Sequence, residues 1–84
     1  MGLAKLQKDL KTAQLRQFGI MITNTTSFVL ENAYVQGVVD ETELMLTMID
    51  EIGQIIETHW GINSREFISY VDKVGVESAI AKVL

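Results

Sequence analysis

The sequence predicts an all-α domain, a small bundle of four to five helices completed by oligomerisation. Three observations predict it. Residues 40–60 carry a broad apolar stripe at helical spacing. Two shorter segments behind them repeat helix-start and helix-stop signals. The apolar fraction is 48% in a chain of 84 residues with neither cysteine nor proline, more apolar material than one small core consumes. A chain this short buries only somewhat more than about 60% of its unfolded surface. The surplus therefore points to burial against another chain.

Residues 1–17 read as a basic amphipathic helix. Leu3, Leu6, Leu10, Ala13 and Gln17 step by three and four, while Lys5, Lys8, Lys11 and Arg16 fall on the far side. The stripe has the width of a coiled-coil seam rather than of a globular helix face. Two heptads are too few to stand alone, so the seam needs a partner surface. That makes Leu3, Leu6, Leu10 and Ala13 the candidate self-association residues.

The next stretch, QFGIMITNTTSFVLENAYVQGVV, is ambiguous because Asn24-Thr25-Thr26-Ser27 interrupts an apolar run. Read as helix, Ser27 or Thr26 caps a segment that reaches Gln36 and stops at Gly37. The alternative is an α+β fold with a hairpin at about residues 18–31, in which Phe18, Ile20 and Ile22 alternate with smaller or polar neighbours. The intervening four residues lack the glycine of short hairpin loops, and an isolated two-stranded hairpin is marginal. Helix is the preferred reading.

Residues 40–60 form the predicted central helix. Asp40 and Glu43 have capping-box spacing. Leu44, Met45, Met48, Ile49, Ile52, Ile55, Ile56 and Trp60 cover an arc of about 160°, with Ile52 at its middle. Gly53 at the edge of the arc invites close approach by another helix, and Gly61 is a natural stop. Asn63 and Glu66 repeat the capping spacing for a helix over 64–74, with Phe67, Ile68, Tyr70, Val71 and Val74 on its apolar side. Gly75 ends it. A last short helix follows, bearing Val76, Ala79, Ile80, Val83 and Leu84 on one side. Length and the absence of a linker composition make residues 1–84 a single helical domain.

Charge divides the chain. Residues 1–17 hold four bases and one acid, +3; residues 18–84 hold three bases and ten acids, −7. A basic tip on an acidic body suggests head-to-body attraction, within one chain or between two. No window of about 18 apolar residues exists, so no membrane span is expected. Nothing after Met1 resembles a secretory leader, and Leu6 stands where a myristoylation signal needs Ser or Thr. The expected location is cytoplasmic, which leaves the sequon at Asn24 idle.

Chemistry is sparse. His59 is the single histidine and with no cysteine it assembles no zinc site, while Glu57-Thr58-His59 is one residue too tight for a bundle di-iron motif. Adjacent acids such as Asp40-Glu41 and Asp50-Glu51 diverge on a helix. Phosphate-binding glycine loops and nucleophile elbows are missing. The expectation is a non-enzyme with neither metal nor cofactor. The favoured function is a self-associating helical protein-interaction module (a small regulator, inhibitor or assembly adaptor) whose partners are itself and another protein. Met45, Met48, His59, Trp60, Tyr34 and Tyr70 are the candidate partner or pocket surface. One alternative is a small-molecule or nucleotide-binding oligomer with a pocket between helices. Another is weak nucleic-acid binding, with Lys5, Lys8, Lys11 and Arg16 as phosphate contacts. Four bases without interleaved aromatics on a chain of net charge −4 make nucleic acid the minor reading.

Overall fold

A computed structural model describes residues 2–32 and 38–84. Four helices follow in chain order: α1 (Gly2–Glu31), α2 (Val38–Trp60), α3 (Ser64–Val74) and α4 (Val76–Val83). Among the described residues there is no strand, so the all-α reading holds and the hairpin alternative at 18–31 does not. Tyr34 and the expected helix end at Gln36-Gly37 lie outside the described residues.

The polar joint expected at Asn24–Ser27 does not form. Instead α1 runs unbroken for 30 residues. Its threonines explain why. The hydroxyls of Thr23, Thr25 and Thr26 each donate to the carbonyl four residues back, on Gly19, Met21 and Ile22. Bonded in this way, the side chains cease to compete with the helix as caps. Thr25 can even be buried, because its hydroxyl already has a partner.

The helix α2 also begins earlier than its capping-box spacing predicts. Val38 is already helical, which places Asp40 and Glu41 in the first turn, where carboxylates favour the amino-terminal dipole. The later signals match the structure. The Asn63 side chain accepts from the Glu66 amide and starts α3. Gly61, at φ 70°, donates to the Glu57 carbonyl and closes α2.

The helices α1 and α2 form a hairpin, and α3 and α4 cover one side of it. Buried at the junction are Leu15, Phe18 and Ile22 of α1, Ile49 and Ile56 of α2, Phe67 and Val71 of α3, and Ala79 and Ile80 of α4. The rings of Phe18 and Phe67 stack with centroids 5.8 Å apart. Two glycines permit the close approaches. A Cβ on Gly19 would lie 2.6 Å from Val76 of α4, and one on Gly53 would lie 3.1 Å from Ser64 of α3. The expected role of Gly53 is therefore realised.

The shape is elongated. Its extents are 53 × 23 × 18 Å and its radius of gyration is 14.2 Å, against about 12 Å for a compact chain of this length. The cause is the first third of α1. The Trp60 indole at the end of α2 donates to the Gln14 side chain at 2.6 Å, so α1 continues past its neighbour. Residues 2–10 are all exposed.

Candidate functional site

The candidate site is an apolar face on the side of the α1/α2 hairpin away from α3 and α4. It is built from two stripes. On α1, Leu3, Leu6, Leu10 and Ala13 are all exposed, with Leu6 at 65%. Because α1 does not break, the same three-four stepping continues through Gln17, Ile20 and Asn24, which are exposed too. The seam is therefore half as long again as the stripe from Leu3 to Gln17 that the sequence shows.

On α2 the broad apolar arc divides. One flank, with Ile49, Gly53 and Ile56, turns into the core. The other flank, Leu44, Met48 and Ile55, stays exposed, with Ile55 at 64%. Met45 and Ile52 are half-buried between them, and Trp60, on the core flank at the end of the helix, is half-buried too. Ile52 thus marks the boundary rather than the middle of the buried surface. A periodicity reading locates the apolar arc but not which part of it the chain itself covers.

The two stripes flank one open groove. Gln17, Ile20, Met21, Asn24, Met45 and Met48 line one stretch of it. Gln14, Gln17, Met21, Ile52 and Ile55 line the next. Met45 and Met48, expected at a partner surface, do come together here. The other residues of that group do not join them. Trp60 lies in a separate groove with Lys8, Lys11 and Leu84, and His59 packs edge-on against the Trp60 ring at 4.5 Å while lining a shallow patch on α2 alone. Tyr70 of α3 donates its hydroxyl to Glu66, which raises its pKa.

The basic residues are partly committed within the chain. Arg16 donates to the Glu77 carboxylate through Nε at 2.7 Å and Nη2 at 3.2 Å. That hydrogen-bonded pairing lowers the Glu77 pKa and raises that of Arg16. The Lys11 ammonium sits 5.9 Å from the centroid of the Trp60 ring, a cation–π position. Lys8 and Lys11 also border the groove at the carboxy-terminal ends of α2 and α4, where helix dipoles favour cations. Much of the basic tip is thereby explained by contacts internal to the chain.

Among the described residues no group of three or more histidine or acidic side chains could hold a metal ion, and no helix is long and apolar enough to cross a membrane. Comparison with family models, with curated proteins and with solved structures gives no match.

Proposed function

We propose that the protein is a non-enzymatic helical interaction module that self-associates through the bare face of its α1/α2 hairpin, acting in the cytoplasm as a small regulator or assembly adaptor. One observation carries the reading: exposed apolar side chains of α1 and α2, among them Leu6, Leu10, Ile20, Met48 and Ile55, are left uncovered by the chain's own α3 and α4. The surface of the whole chain is large enough to supply an interface. The chain exposes 6123 Å², about 1,100 Å² more than the roughly 5,000 Å² expected of a compact monomer of 9.4 kDa. A specific interface takes about 800 Å² from each partner.

The test is the mass in solution by light scattering. The wild-type chain is expected to run as a dimer or higher at micromolar concentration, and Leu6→Asp with Leu10→Asp as a 9.4 kDa monomer with unchanged helix content. Raising salt should leave the wild-type mass unchanged, because apolar burial rather than exposed ion pairing holds the assembly. A wild-type monomer under these conditions rejects self-association.

A further inference from the structure

The helix α1 carries two apolar faces. Leu15, Phe18, Gly19, Ile22 and Thr25 are buried in the chain's own core. Leu3, Leu6, Leu10, Ala13, Gln17, Ile20 and Asn24 form the other, alternating through seven positions as a and d sites of a heptad repeat. Helices with such a seam pair with one another along it. The second copy of this chain supplies the same seam, so the remaining questions are direction and register.

Charge answers both. The positions flanking the seam on one side are Asp9, Arg16 and Thr23. Arg16, grouped with the lysines of the far side by sequence, is the base that borders the seam, and with Asp9 it is the only charge there between Leu3 and Asn24. In an antiparallel pair, flanking residues of this kind face each other across the interface. Three registers bury the leucines of the seam over several layers, whereas a fourth, which sets Gln17 against Ile20 and Ala13 against Asn24, leaves Leu3, Leu6 and Leu10 uncovered. In the shortest, Asp9 meets Asp9 of the second copy. In the one that sets Leu10 against Ile20, Arg16 meets Arg16. The intermediate register sets Leu10 against Ala13 and Leu3 against Ile20, and there Asp9 meets Arg16 twice, related by the two-fold axis. Like-charge repulsion disfavours the other two.

The intermediate register is the one that uses both charges, since in an in-register parallel pair Asp9 and Arg16 would face Gln14 and Met21 and form no ion pair. It also opposes a large side chain to a small one at Leu10–Ala13. Arg16 can serve Asp9 of the other copy while it holds Glu77, since its two printed bonds use only part of a five-donor guanidinium.

We infer that two copies of this chain pair antiparallel through α1, with Leu3 of one against Ile20 of the other. This rests on the self-association reading above and specifies its geometry. The absence of cysteine permits a clean test. Chains bearing Leu3→Cys and Ile20→Cys, both at exposed positions, are mixed under mild oxidation and the disulfide products are identified by mass. A mixed disulfide between the two variants is expected, with little self-linking of either. In this register two Leu3 positions lie about 25 Å apart along the pair, far beyond disulfide reach. Efficient self-linking of Leu3→Cys would establish a parallel pair and overturn the inference. So would a dimer by light scattering that forms none of these links. A monomer by light scattering would reject the self-association reading as well, so the two failures are distinguishable. As a second measure, Asp9→Lys should weaken the dimer several-fold without loss of helix, and no change on that substitution counts against the register.

Discussion

Leu6 and Leu15 lie on one helix, nine residues apart, and have opposite fates. Leu15 is fully buried in the core, whereas Leu6 is 65% exposed on a stretch whose residues 2–10 are all exposed. Both sit in regular apolar patterns. The difference shows that periodicity reports that a face is apolar without reporting who covers it. Helix α2 repeats the lesson within a single turn, since Ile56 is buried and Ile55 is bare.

Substitutions can break this comparison. Leu15→Ala should have the largest effect, destabilising the fold by about 2–5 kcal/mol in urea unfolding, as large-to-small changes at closed sites do. Gly19→Ala should follow at about 1–3 kcal/mol, because its methyl meets the stiff, β-branched Val76 at 2.6 Å. Val76→Ala in the same chain should return part of that loss, and additive costs would mean that α1 and α4 separate instead of clashing. Ile52→Ala should fall between Leu15→Ala and Leu6→Ala, reflecting its half-buried place. Leu6→Ala should change unfolding by less than about 0.5 kcal/mol when the midpoint is extrapolated to low protein concentration. A cost for Leu6→Ala as large as that of Leu15→Ala, under those conditions, would mean that the arm folds back on its own chain.

The smallest effect concerns Arg16 and Glu77, which tie the buried half of α1 to α4 at the surface. The Glu77 pKa is lowered in the folded chain from an ordinary value of 4.5 by its bonds to Arg16. Its contribution is therefore fully present above that value and is lost as pH falls through the lowered folded value. Arg16→Gln should lower neutral-pH stability slightly, converge with the wild type at acid pH, and so flatten this acid limb of the stability profile. A wild-type profile with no such difference from the variant would show that the pair carries no weight in solution.

Much of the architecture was legible from residue order. The α3 boundaries follow from Asn63, Glu66 and Gly75, because caps are local chemistry read within four residues. The apolar positions of α2 were legible for the same reason. Two features were not. The continuity of α1 depends on whether threonine hydroxyls turn back to their own helix or serve as caps. Spacing cannot tell these apart, since both bonds are within reach of one turn. The division of the α2 arc depends on where α3 and α4 settle, which is decided by contacts far apart in sequence such as Phe18 with Phe67. As for the site, Met45 and Met48 were recognisable as a surface pair, and Leu3, Leu6, Leu10 and Ala13 as an exposed seam. The extension through Ile20 and Asn24 was hidden by the supposed joint.

Gly75 has a consequence for how the whole assembly is aligned. At φ 88° and ψ 170° it ends α3 and begins α4 by itself, in a region of backbone space that side chains essentially forbid. The bearing of α4 is thus fixed at one swivel rather than along a loop. A rotation of 10° there would carry the far end of α4, about 12 Å away, through about 2 Å. That is enough to unseat Ile80 and Val83 from the core, while Val76, next to the swivel, stays close to the notch at Gly19. Since α4 braces α1 just behind its projecting arm, the aim of the arm is set by the dihedral angles of a residue at the opposite end of the sequence.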